Sequence, residues 1–217
     1  MHKLIAGGAV WLCGIQFFIV QVIAQSRWTT PYSLSANYIS DLGNTVCANY
    51  PPGSAAYVCS PLHALLNLSF SGQGVTIVGG LAFVGGRLGR SLIGKILIAL
   101  LVLTAVGMVG VGLFPENTDN QAHVTAAGLQ FVTSNLAVMA ASSRGVVPGT
   151  GRIYSLASLI FGCVGLAATC LFPIGVHLGL GIGGMERVAA YTFPVWLAVT
   201  GLLLVKLGRR EIKHLQS

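Results

Sequence analysis

Charge is what this sequence has least of. Charged residues make up 8% of its 217 positions, with five acids against twelve Lys and Arg, while 54% of the residues are hydrophobic and 29 are glycine. A soluble domain of this length needs far more charge to keep its surface hydrated, so a water-soluble fold is excluded. Metal-binding spacings are missing too. No Cys-x-x-Cys and no His-Glu-x-x-His occurs, and the five cysteines and five histidines are scattered. The formal charge of +7 does not indicate a nucleic-acid partner, because the basic residues sit in short clusters between apolar runs rather than along one polar face. Gly179-Leu180-Gly181-Ile182-Gly183-Gly184 lacks a preceding strand, which excludes a nucleotide-binding glycine loop.

What is present is apolar length. A hydrocarbon core of about 30 Å takes roughly 20 residues of helix. Six stretches suffice, at about 4–25, 62–84, 94–114, 123–142, 153–173 and 188–205, which predicts an all-α polytopic membrane protein formed by residues 1–217 as a single six-helix domain. An even number of spans leaves both termini on one side. Lys3, Arg87, Arg90, Lys95, Arg144, Arg152, Lys206, Arg209, Arg210 and Lys213 fall together, and only Arg27 and Arg187 face the other way. The positive-inside rule therefore puts both termini in the cytoplasm, in a multi-pass protein of the cell membrane. The stretch from Met1 to Ala24 also has the form of a signal peptide, with Val22-Ile23-Ala24 as a cleavage site, but its apolar run of about 21 residues suits a retained span better.

The outer segments run from about Ser26 to Pro61, across Phe114 to Gln121, and from about Ile174 to Arg187. In the first, Cys47 and Cys59 flank the turn-rich Asn49-Tyr50-Pro51-Pro52-Gly53-Ser54, and an oxidising compartment predicts a disulfide between them. Cys13, Cys163 and Cys170 lie within spans and are expected to be small buried apolar residues. Val106-Gly107 and Leu113-Phe114-Pro115 of the third span are echoed by Val164-Gly165 and Leu171-Phe172-Pro173 of the fifth. These glycines would let neighbouring helices approach closely.

Polar residues within the spans show which faces avoid lipid. His63, Asn67 and Ser71 recur at four-residue steps, and His123, Gln130 and Ser134 share a side of the fourth span, with Gln16 and Gln21 available from the first. In both helices the histidine is outermost and the milder groups lie deeper, which describes a cavity open to the outside and narrowing inward. Asn67, Gln130 and Ser134 are expected to serve as interhelical hydrogen-bond glue.

At the outer ends stand the acids. Asp41, Glu116 and Glu186, with Ser40, Arg187 and Tyr191, are the candidate site. A surface ion pair of Asp41 or Glu186 with Arg187 is the plain structural explanation. The functional one makes Asp41, His63, His123 and Glu186 catalytic, with Ser40, Glu116, Arg187 and Tyr191 binding substrate and Arg187 holding an anionic head group. His63, His123 and His177 could supply three imidazoles to a zinc ion, with a carboxylate as general base. The Gly-rich third segment would lie over the cavity mouth as a re-entrant or interfacial element.

Ile39-Ser40-Asp41-Leu42-Gly43, Ser60-Pro61-Leu62-His63, Phe114-Pro115-Glu116 with His123, and Gly183-Gly184-Met185-Glu186-Arg187 together resemble domain-of-unknown-function family 998, whose members are six-span prokaryotic membrane proteins without an established activity. The likeness covers nearly the whole chain. Ile39-Ser40-Asp41 and the outer histidine of the fourth span bear a more distant similarity to the Frag1/DRAM/Sfk1 group, some of whose members are linked to lipid remodelling. The leading expectation is a protein that binds or processes a lipid-like amphiphile at an outward-facing polar site. A small-solute or proton transporter and a structural subunit of a membrane complex are the alternatives.

Overall fold

The computed structural model describes residues 1–216 and consists of six long helices. They are α1 (His2–Ser26, with a 3-10 turn at Cys13–Ile15), α2 (His63–Leu88), α3 (Leu92–Leu113), α4 (Asn120–Ala140), α5 (Arg152–Leu171) and α6 (Gly181–Gln216). Each helix packs on the next, and α6 closes on α1, so the bundle is a ring in chain order with α4 also touching α6. Five of the six are long and apolar enough to cross a membrane. The exception is α4, whose 21 residues include His123, Gln130, Thr133, Ser134 and Asn135, all buried. Its polarity points inward, into the ring.

The outside of the bundle is apolar, as lipid requires and water does not. Leu68, Val75, Val106 and Ile153 are all exposed on helix surfaces. Cys13, Cys163 and Cys170 are exposed there as well, not buried as their apolar setting suggested. Within a lipid-facing helix the outer surface is as apolar as the core, so small apolar residues gain nothing by turning inward.

Close backbone approach holds the ring shut. A Cβ on Gly8 would stand 2.5 Å from the Gly201 carbonyl oxygen, and one on Gly201 would stand 2.7 Å from that of Gly8, so α1 and α6 cross through paired glycines. Beside this crossing Trp11 is fully buried, and its Nε1 donates to the Ile77 carbonyl at 3.1 Å. Asn135 ties three helices. Its Nδ2 donates to the Ala189 carbonyl at 3.0 Å and to Thr169, while Thr192 donates to its Oδ1 at 2.6 Å.

Helix α6 begins seven residues before the expected start of the sixth span. At about 1.5 Å per residue, 36 residues reach well beyond a hydrocarbon core at one end or both. One extension carries Glu186 and Arg187, which therefore belong to a helix and not to a loop. The other carries the basic tail, where Glu211 pairs with Arg87 at 3.0 Å, at the end of the bundle opposite the acids.

Candidate functional site

The site is built where the first outer segment is pressed onto the start of α6. Ile39-Ser40-Asp41-Leu42-Gly43 forms a short 3-10 turn over Ser40–Gly43. Ile39 and Leu42, three residues apart, enter the core, which turns Ser40 and Asp41 toward the polar side. Asp41 ties the turn to the residues before it, accepting from the Tyr38 backbone amide at 2.8 Å and from Asn37 Nδ2. Ser60, just before α2, and Asn67 within it hold the far end by donating to the carbonyls of Leu42 and Gly43.

The glycine-rich stretch is not a re-entrant segment. Gly181 to Gly184 form the first turn of α6, and the loop lies directly against it. A Cβ on Gly181, whose φ is +74°, would meet the Ser35 carbonyl oxygen, and one on Gly183 would meet that of Asn37. Only glycine lets the loop sit so close. The Gly183 amide donates to the Ser35 carbonyl at 2.9 Å.

Two adjacent α6 residues then fasten the loop. Arg187 Nη1 donates to the carbonyls of Leu34, Asn37 and Gly183, and Nη2 to the Tyr32 hydroxyl, with the guanidinium 5.6 Å from the Tyr32 ring centre. The Ile39 amide donates to Glu186. Arg187 is buried, and only its Nε lacks a partner. It anchors the loop and lines neither of the cavities described next.

An outer cavity of about 410 Å³ opens among the loop, α4, the end of α5 and α6. Ser40, Glu116, Asn120, His123 and Glu186 supply its polar lining, and Tyr38, Tyr50, Phe131 and Phe172 its aromatic walls. It shares Ser40, His123, Ala127, Phe131 and Glu186 with a chamber of about 30 Å³ deeper in the ring, where Gln73 and Gln130 lie among Phe17, Phe70 and Phe193. The outer cavity has the volume of a small-ligand pocket, and the inner one has room for a water molecule. Gln73 Nε2 is buried there without a partner.

The cavity also faces sideways. Val124 and Gly128 of α4 and Pro173 just beyond α5 line the cavity and are exposed, forming its rim. Further along, Gly162 and Gly165 bring α5 tightly against Met139 and Asn135 of α4.

Glu116 is the most perturbed acid outside the helices. Burial, and then the charge of Asp41 beside it, push its carboxyl up to about 9. Burial likewise raises Asp41, so one proton stays between the two at neutral pH. Burial pushes the Tyr38 and Tyr50 hydroxyls up to about 12, and both remain neutral donors. Tyr50 donates to the Glu116 main-chain carbonyl at 2.8 Å from the tip of a small hairpin, β1 (Ala48–Asn49) with β2 (Tyr57–Val58). The disulfide between Cys47 and Cys59 closes that hairpin. His123 Nδ1 lies 2.7 Å from the Phe114 carbonyl, an acceptor, so Nδ1 carries hydrogen and Nε2 of the neutral ring is an acceptor.

A raised carboxyl makes stability depend on pH. Unfolded Glu116 ionises in the ordinary range while the folded group keeps its proton to about pH 9, so the favoured protonated fold is fully stable below the ordinary carboxylate range. Stability is then lost as pH rises toward 9. We expect the unfolding midpoint in neutral detergent to fall between pH 5 and 9, and the slope to be shallower in Glu116→Gln. Parallel profiles for the two proteins would contradict this assignment.

Of the residues singled out by sequence, Ser40, Glu116, His123 and Glu186 meet at the cavity, with Asp41 directly behind. His63 does not join them. Its Nδ1 bonds the Ser60 carbonyl at the start of α2, and it lines neither cavity. Tyr191 donates to Gln21 at 2.6 Å and ties α6 to α1. His177 stays in the segment between α5 and α6. Among the described residues no group of three or more His, Cys, Asp or Glu is placed to hold a metal ion. Tyr38, Tyr50 and Asn120 were missed as wall residues, and only their nearness in sequence to Asp41, Cys47 and Glu116 could have indicated them.

Residues 11–203 match the model of a family described as Protein of unknown function (DUF998). No curated protein and no solved structure matches the chain.

Proposed function

We propose that the chain, which belongs to the DUF998 family, is a six-span protein of the cell membrane with both termini cytoplasmic, and that it binds the polar head of a lipid-like amphiphile in its outer cavity. The basic residues clustered at the end away from the acids support the orientation. The ring of six packed helices supports α4 as a membrane span alongside the other five, its polar face turned to the cavity and its apolar face to lipid. Trp11 and the paired glycines make α1 a wall of the ring, which favours its retention over cleavage.

The observation that carries the reading is the shape of the outer cavity. Its acids and imidazole lie inside, and its rim of Val124, Gly128 and Pro173 opens between two helices at the membrane surface. A head group reaches the polar interior while its tail stays between α4 and α5 in lipid. His123 Nε2 beside Glu116 and Glu186 also provides proton acceptors for chemistry on that head group. Passage through the protein has less support, because the cavity tapers to a chamber of about 30 Å³.

Mass spectrometry of lipids retained by the purified protein in a neutral detergent tests the proposal. One lipid class should be enriched at least tenfold over its share of the membrane. A retained set identical in composition to the bulk membrane would overturn the reading.

A further inference from the structure

We propose that the head group bound in the outer cavity carries a positively charged nitrogen, an ammonium or quaternary ammonium. The inference rests on the amphiphile reading above and narrows its ligand. Charge is the first argument. Asp41 and Glu186 lie near the Arg187 guanidinium and Glu116 lies beside Asp41, and the described residues lining the cavity include no Lys or Arg. Arg187 already faces four oxygen acceptors and does not reach the cavity wall. An anionic head group would enter against the charge left on the proton-sharing Asp41–Glu116 pair and the carboxyl of Glu186, with no free cation to receive it, whereas a cation offsets that charge.

The walls supply the second argument. Tyr38, Tyr50, Phe131 and Phe172 line one cavity, with ring centres of Tyr38 and Phe172 5.9 Å apart and of Phe131 and Phe172 6.5 Å apart, both edge to face. Aromatic faces around a pocket that also holds carboxylates are the recognised environment for alkylated ammonium groups, which bind the ring quadrupole and cannot satisfy hydrogen-bond acceptors one by one.

A third observation concerns a single atom of one of these acids. Glu116 is 7% exposed, and its Oε1 is buried without a hydrogen-bond partner. With His123 Nε2 it leaves the cavity with acceptors in excess of donors. A buried acceptor of this kind is costly unless a donor or a cation reaches it.

The test uses the full chain in a neutral maltoside detergent and four probes: hexadecyltrimethylammonium below its micellar concentration, hexadecanol, hexadecanoate, and tetramethylammonium without a tail. Native mass spectrometry and thermal shift are read together. The tailed ammonium is expected to bind at least tenfold tighter than the alcohol, the carboxylate not measurably, and tetramethylammonium at least a hundredfold more weakly than its tailed analogue. In Glu116→Gln with Tyr38→Leu the ammonium preference should fall below threefold while alcohol binding persists, which also shows that the variant is folded. Glu116→Gln alone, nearly isosteric, provides the same readout should the double variant fail to fold. Equal binding of ammonium and alcohol would overturn the cationic head group and leave the amphiphile reading standing. Tetramethylammonium binding as tightly as the tailed probe would keep the cation and overturn the amphiphile. Binding of none of the four would overturn both.

Discussion

Replacing Arg187 with Ala is expected to lower the unfolding midpoint by on the order of 10 °C and to free the outer loop. The side chain is buried, and its donors meet the carbonyls of Leu34, Asn37 and Gly183 and the Tyr32 hydroxyl, so truncation strips four acceptors at once. It also removes the positive charge beside Glu186. Removing one partner from a buried charged network costs about 3–5 kcal/mol, and about 2–4 °C accompany each kcal/mol in a chain of this size. Arg187→Lys should not rescue the loss, because an ammonium on a flexible stem cannot reproduce a planar fork that serves three carbonyls and a hydroxyl. Thermal unfolding in detergent, with limited proteolysis between Arg27 and Pro61, provides the check. A shift below about 2 °C for Arg187→Ala, with the loop still protected, would show that the glycine contacts of α6 hold the loop unaided.

Filling the cavity should have the opposite signature, with large loss of ligand and little loss of stability. Gly128 lies on the α4 rim, and a Cβ there would meet nothing within 4 Å. Gly128→Trp therefore starts from an unobstructed Cβ and places an indole at the mouth, and removing a mid-helix glycine offsets up to about 1 kcal/mol of whatever strain the ring brings. The enriched lipid should fall at least tenfold in retained amount while the unfolding midpoint stays within about 3 °C. Gly128→Ala is the control and should retain lipid normally. If Gly128→Trp keeps its full complement, the lateral opening between α4 and α5 is not the entry.

Much of the architecture was legible because lipid imposes it. The apolar runs had to be helices of about 20 residues, since no other structure satisfies a backbone in hydrocarbon, and five of the expected spans are apolar enough to stand on composition alone. The fourth depends on polar residues turned inward, a property of packing. The disulfide was legible from compartment and spacing, as was the convergence of Glu116, His123 and Glu186, which share one end of the bundle.

What stayed hidden was depth and direction. Glu186 and Arg187 were expected at the boundary where the third outer segment meets the sixth span, because the glycines before them resemble a flexible segment. Those glycines are instead the contact surface that receives residues 34–37, and a sequence does not distinguish glycine needed for freedom from glycine needed for closeness. His63 is the first residue of α2 and His123 the fourth of α4. One bonds the Ser60 carbonyl outside the cavity and the other lines it, a difference that the sequence pattern does not carry. Arg187 illustrates the same limit. Its charge suggested a ligand for anions, and only the loop carbonyls around it reveal an anchor.

The most direct test of the cavity is covalent. A long-chain amphiphile carrying a photoactivatable group next to its head, incorporated in membranes with the full-length protein, should on irradiation label residues 124–131 of α4 and 169–173 beside and within α5. Labelling concentrated there, and reduced at least tenfold by Gly128→Trp, is the predicted result. Labels spread evenly over the lipid-facing surfaces of all six helices, and unchanged in Gly128→Trp, would contradict it.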